Sequence, residues 1–174
     1  MQEQEKSKCK IIVGLGNPGI EYENTYHNVG MMMLFRLAGN DWKGKRYKNS
    51  FESEKKDDVV LIRPLVFMNE SGLAIKEAAR VFKAKPEEIV IIHDDSDIPL
   101  GSFKISFGKN AGGHNGIQSI IDTLKSKNFS RIRIGIRPII EPLRKKAGIF
   151  VLKPITKKDK NILDGVFKEI ESKI

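Results

Sequence analysis

The sequence predicts an α/β protein, one domain built as a sandwich around a largely buried sheet. Three observations carry that expectation. Runs rich in β-branched apolar residues are bounded by turn formers, segments of helical period lie between them, and no repeat or Pro/Gly/Ser linker divides the 174 residues. The charged opening, residues 1–9, is expected to be a flexible leader, with the domain running over 10–174. Strands are predicted at Ile11–Val13, Val59–Ile62, Ile89–His93, Phe103–Phe107 and Ile132–Ile136. Asn69 and Ser71, both good caps, precede Leu73, Ala74, Ala78, Val81 and Phe82 at helical spacing. Ile117, Ile120, Ile121 and Leu124 repeat the pattern after Asn115. Thr156 precedes Ile162, Leu163, Val166, Phe167 and Ile170, an amphipathic helix with lysines opposite.

Composition excludes several classes. A single cysteine, Cys9, permits neither an internal disulfide framework nor a multi-thiolate zinc site. No apolar run approaches the ~20 residues of a membrane span, and the opening lacks the apolar stretch of a secretory signal, so a cytoplasmic protein is expected. The formal charge is +9, and it is one-sided. Residues 101–174 carry 16 Lys and Arg against 6 Asp and Glu, whereas residues 1–100 carry 15 against 16. Such a surface suits a polyanion, although a lysine-rich solvated surface has the same composition.

The first strand runs into Gly14-Leu15-Gly16-Asn17-Pro18-Gly19, which matches the G-x-G-x-x-G template of dinucleotide loops. That template works only when its last glycine opens a helix that holds a pyrophosphate. Here Asn24, Thr25, Asn28 and Gly30 make the next stretch a poor helix until Asn28 or beyond. A tight turn at the C-terminal edge of a strand is the better reading. Four more polar loops share that character: Tyr22–Gly30, Phe67-Met68-Asn69, His93-Asp94-Asp95-Ser96-Asp97 and Gly112-Gly113-His114-Asn115-Gly116.

All three histidines, His27, His93 and His114, fall in this set, each followed by Asn or Asp. Metal ligation through His93-Asp94-x-x-Asp97 fits no standard zinc spacing, and neighbouring side chains on an extended segment point to opposite faces. The alternative is one histidine as general base for a water molecule, held by an aspartate. Each histidine also has the plainer reading of a turn residue capping backbone; His27 lies where no apolar period would bury it.

Taken together, GLGNPG with Tyr22 and Tyr26-His27-Asn28, then FMN-x-SG, HDD-x-D-x-P-x-G and GGHNG, resemble the bacterial-type peptidyl-tRNA hydrolase, in that family's order and at similar spacing from about Lys10 to the last helix. The resemblance implies a monomeric three-layer α/β/α sandwich with a mixed twisted sheet and no metal or other cofactor. It implies hydrolysis of the ester joining a peptide, or an N-blocked amino acid, to the 3′ ribose of tRNA.

By the same resemblance His27 is the catalytic base and Asp94 the carboxylate that supports it. Asn17 discriminates N-blocked from free aminoacyl groups, and Asn69 and Asn115 are active-site carboxamides. Tyr22 and Phe67 meet the tRNA end, Met68 lines the channel, and Lys104 and Arg133 suit phosphate contact. A carboxamide can donate to a developing oxyanion without losing a proton, and it offers a peptide one acceptor and one donor arm. The expected partner is therefore peptidyl-tRNA, with no membrane and no metal.

Four features depart from the family. Tyr26 stands where Arg is usual, Ser106 stands where many members have a second lysine, which leaves a weaker clamp or one that borrows Lys109, Pro138–Gly148 is unlike the common pattern, and the chain after Lys173 is shorter than in many members. A rival reading keeps the fold as an inactive RNA-binding module, like the family's chloroplast splicing relatives.

Overall fold

A computed structural model of the chain describes residues 10–39, 41–139 and 147–174. The leader and most of Pro138–Gly148 lie outside the described residues. Seven strands form one sheet in the order β2-β3-β4-β1-β5-β7-β6. They are β1 (Ile11–Gly14), β2 (Lys45–Tyr47), β3 (Phe51–Lys56), β4 (Val59–Pro64), β5 (Ile89–Pro99), β6 (Phe103–Phe107) and β7 (Ser130–Arg137). The four central strands β4, β1, β5 and β7 run parallel, whereas β2, β3 and β6 add antiparallel edges. Parallel strands covered on both faces read as continuous apolar runs, and β1, Ile-Ile-Val-Gly, is buried throughout.

Successive side chains of β1 enter opposite cores, as the strand period of two requires. Ile12 joins Leu61, Ile92, Ile132 and Ile134 beneath α1 (Val29–Ala38) and α5 (Lys157–Glu171). Ile11 and Val13 join Ile62, Ile89 and Ile91 beneath α2 (Ser71–Val81) and α3 (Asn115–Leu124). A four-residue helix, α4 (Ala147–Phe150), precedes α5. The architecture is the expected three-layer α/β/α sandwich around a mixed sheet.

Two strands lay beyond the sequence reading. Only Phe51 and Ser53 of β3 are buried, while Lys55 and Lys56 are exposed, and β2 has no fully buried residue. β2 is the edge strand and β3 its neighbour, so part of each stays wet and neither carries a continuous apolar run. The cap of α2 also differs. Asn69 lies in a 3-10 turn spanning Met68–Glu70, and Ser71 is the helix's first residue, its hydroxyl donating back to Met68 O at 2.7 Å. Thr156 caps α5 as expected, accepting the Asp159 N–H at 3.1 Å.

Candidate active site

The parallel strands bring their C-terminal ends together, where the polar loops meet. β1 runs on into the Gly14–Gly19 turn, and Leu15 N–H donates to Ile92 O of β5 at 2.9 Å. Gly30 opens α1 so close to β5 that an added Cβ would lie 2.2 Å from Ile92 O. A side chain at Gly116 would meet Met68 Sδ at 2.5 Å, His114 Cε1 at 3.1 Å and Leu15 Cδ1 at 3.2 Å. These glycines let three loops from distant parts of the chain share one crevice.

Asp94 is the hub. It is 2 % exposed, and two imidazoles converge on it. His27 Nδ1 lies 2.9 Å from both carboxylate oxygens, and His114 Nε2 lies 2.9 Å from Oδ1. Local structure fixes the proton on His114. As the N-cap of α3, its Nδ1 accepts the Ile117 N–H at 3.3 Å, so Nε2 carries the hydrogen given to Asp94. His93 packs edge-on against His114 at 4.7 Å, and its own Nδ1–H donates to Asp94 O at 2.7 Å.

Charge follows from this arrangement. Burial alone would raise the Asp94 carboxyl, but His114 and His27 hold it far below the usual carboxylate range, so it is an anion at any working pH. Burial opposes a charged His27, yet the Asp94 charge and hydrogen bond outweigh it, and the imidazole rises above its ordinary 6.5. His93, wholly buried and beside His114, falls well below 6.5 and stays neutral. His27, with Nδ1 held by Asp94 and 12 % of its side chain exposed, keeps Nε2 as the nitrogen able to accept a proton from water.

The asparagines divide. Asn17, buried, accepts the Met68 N–H at 2.7 Å through Oδ1, and its main chain is bracketed by Asn28, which accepts from Asn17 N and donates to Asn17 O, both at 2.9 Å. The acceptor arm of Asn17 is thus already engaged, and the donor Nδ2 is the arm left for a substrate carbonyl. Asn69 and Asn115 are exposed, directly after Met68 and His114, and make no side-chain hydrogen bond among the described residues. No hydrogen bond among those residues ties either to His27. Tyr22 and Phe67 meet edge to face at 6.1 Å, and Phe67 keeps half its surface exposed. They form an aromatic wall beside the crevice.

The cations differ from a simple clamp. Arg133 donates from Nε to Asp95 Oδ2 at 2.8 Å and is partly buried, so its charge is offset, though its other guanidinium donors remain. Lys104, its neighbour across the β6–β7 ladder, is exposed and has no ion pair among the described residues. Arg131 is buried and donates to Asn110 O at 3.0 Å. Ser106 Oγ is buried without a partner among those residues.

His93, Asp94 and Asp97 do not gather into a metal site. The described group with metal-ligand geometry is His27, Asp94 and His114, whose ligand atoms lie within 4.8 Å of one another. A cation there would have to displace the two N–H hydrogens now donated to Asp94. Sequence reasoning assigned no role to Asn28 and left His114 between cap and catalyst. It caps α3 and also donates to Asp94, and the forewarning in the sequence was that His-Asn recurs in the Tyr26 and Gly112 loops.

Comparison with known proteins gives the family. The family model of peptidyl-tRNA hydrolase matches residues 11–174. The chain is 39% identical to a peptidyl-tRNA hydrolase of Lactobacillus johnsonii, over 95% of this chain and 90% of that protein. It is 40% identical to one from a Sulfurihydrogenibium species, over 90% and 84%. Among solved structures, peptidyl-tRNA hydrolase from Acinetobacter baumannii superposes with a TM-score of 0.86 at 30% identity, covering 98% of this chain and 89% of that one.

Proposed function

Because the chain belongs to the peptidyl-tRNA hydrolase family, and so hydrolyses peptidyl-tRNA, we propose that His27 and Asp94 carry out the hydrolysis of the ester to the terminal ribose of tRNA. The observation that supports this assignment most is the His27–Asp94–His114 array, since a buried anion holding Nδ1 leaves Nε2 basic and aimed away from it. His27 Nε2 takes a proton from water as the water oxygen attacks the ester carbonyl. Asp94 holds the imidazole in that tautomer and stabilises the imidazolium. The same proton then returns to the departing ribose oxygen, so no group is consumed.

The remaining polar residues hold substrate. Asn17 Nδ2 donates to a carbonyl of the peptide, while Asn69 and Asn115 supply free carboxamides for water and oxyanion. A free α-ammonium brings a charge that none of these neutral groups can pair, which disfavours aminoacyl-tRNA carrying an unblocked amine. Tyr22 and Phe67 offer faces on which the terminal bases stack. Lys104 and the remaining donors of Arg133 meet phosphate. Residues 10–174 act as one catalytic unit, as a monomer and without a metal, in the cytoplasm where tRNA circulates. Among the described residues no helix is long and apolar enough to cross a membrane.

The test is a discrimination assay on purified protein. N-acetylated aminoacyl-tRNA should be cleaved and the same tRNA with a free amine should survive. Binding of both without cleavage of either would favour an RNA-binding module instead.

A further inference from the structure

The turn that presents His27 is strapped to a segment more than a hundred residues away. His27 N–H donates to Val151 O at 2.8 Å, Tyr26 N–H to Lys153 O at 3.3 Å, and Ile155 N–H to Asn24 O at 2.7 Å. Thr25 bridges Pro154 in antiparallel fashion, and Lys160 Nζ donates to Asn24 Oδ1 at 2.9 Å. This strap continues without a break into α5 through its cap, Thr156.

Tyr26 closes the strap with a side chain. It is 3 % exposed, its ring stacks on Phe150 at 4.6 Å and 25°, and its hydroxyl donates to Asp159 Oδ2 at 2.5 Å in the first turn of α5. Burial, with the hydrogen bond and charge of Asp159, pushes the phenol up to about 12, so the donor keeps its proton wherever the enzyme works. Asp159 in turn is placed by its own N–H on Thr156. The imidazole is therefore fixed at two ends, by Asp94 at Nδ1 and by the strap at the main chain, and Tyr26 is the buried side chain of the turn that reaches α5, alongside the exposed Lys160–Asn24 bond.

We propose that Tyr26 and Asp159 are positioning residues for His27: their hydrogen bond clamps the 24–27 turn to α5 and keeps Nε2 at the reacting carbonyl. The inference rests on reading His27 as the general base. A catalytic group displaced by ~1 Å can lose up to about 10²-fold in rate, and a clamp one residue away with the main-chain ladder intact accounts for roughly a tenth of that range.

Tyr26→Phe keeps the ring stack and deletes only the hydroxyl. It should lower kcat about tenfold and leave KM within about twofold. Asp159→Ala should do the same. Asp159→Asn, whose carboxamide oxygen still accepts from Tyr26, should stay within about threefold of wild type. The double variant Tyr26→Phe/Asp159→Ala should be no slower than Tyr26→Phe, which already loses the Asp159 bond together with the hydroxyl's contact with Thr156. A lower melting temperature with kcat unchanged in Tyr26→Phe would show a merely structural contact and overturn the proposal, as would a loss in Asp159→Asn equal to that in Asp159→Ala. The resting protein gives an independent readout, because the His27 Nδ1–H proton should exchange faster with solvent in Tyr26→Phe. If wild type failed to hydrolyse its substrate, the functional reading would fall, while unchanged exchange would strike the clamp alone.

Discussion

Asp94→Asn tests the electrostatic core of the site with almost no change of shape. The carboxylate accepts two hydrogens, from His27 Nδ1 and from His114 Nε2, whereas a carboxamide has one accepting oxygen and one donating nitrogen. His114 cannot adapt, because its Nδ1 already accepts the Ile117 N–H and its Nε2 must donate. The carboxamide oxygen therefore turns to His114, and its NH₂ faces His27. That drives the proton of His27 onto Nε2, the atom that should receive one from water. The wrong tautomer on a catalytic histidine costs up to about 10⁴-fold. Because Oδ1 also lies within reach of His27 Nδ1, a loss of roughly 10²–10⁴ is expected here. The acid limb should move too. Activity needs neutral His27, and Asp94 raises that group while burial lowers it. Without the anion burial prevails, so the limb shifts to lower pH as the plateau falls. The assay is kcat against pH on N-acetylated aminoacyl-tRNA. Turnover within threefold of wild type with an unmoved acid limb would refute the partnership.

Other expectations follow from the same geometry. His93 is neutral when buried but takes a proton near pH 6.5 in the unfolded chain, so it stabilises above 6.5 and that contribution is lost as pH falls. His93→Gln should flatten the decline below pH 6.5 by up to about 1.4 kcal/mol per pH unit, read by urea unfolding; His27, raised when folded, works in the opposite sense and is left untouched by the change. At Gly72 an added Cβ would lie 2.2 Å from Ser119 O, between α2 and α3, so Gly72→Ala should cost about 3 kcal/mol. For a domain of this size that is roughly 6–12 °C in Tm, and an unchanged Tm would mean the helices part freely. Lys104→Ala should reduce the salt slope of tRNA binding by ~0.7–0.9 for each phosphate no longer neutralised, whereas Arg133→Ala should change it less, because Asp95 already pairs that side chain.

What could be read from the sequence was set by burial. The central strands were legible where they are apolar, in β1 and in Ile89–Ile92 of β5, whereas the polar continuation of β5 to Pro99 reads as a loop; β6 was found at its observed limits, Phe103–Phe107. β2 and β3 were not, since an edge strand such as Lys45-Arg46-Tyr47 has no pattern to distinguish it from a loop. Five candidate residues, His27, Asp94, Asn17, Asn69 and Asn115, were named through resemblance to a family, and of these the structure joins His27 and Asp94 by hydrogen bond. The wiring of the site was not legible. Nothing in the spacing shows that the acceptor of Asn17 is occupied by Met68 N–H, that Arg133 is paired with Asp95, or that His114 gives its second nitrogen to Asp94. Each of those depends on side chains meeting across 20 to 51 residues of sequence, which only the fold brings together.

The role of Tyr26 shows the same limit from the other side. In the sequence it is a departure from the family's arginine; in the structure it reaches across 133 residues to a carboxylate in α5. A phenol at that place supplies a neutral donor to a carboxylate, where a guanidinium would supply a charged one.

The role given to His27 is met head-on by single-turnover hydrolysis of N-acetylated aminoacyl-tRNA by the wild-type protein and by His27→Ala, with binding of the same substrate measured in parallel. Removing the general base should slow cleavage by at least 10²-fold, and up to about 10⁴-fold, while the substrate still binds. Cleavage by His27→Ala at near wild-type rate would contradict that role, since water would then be activated by some other group.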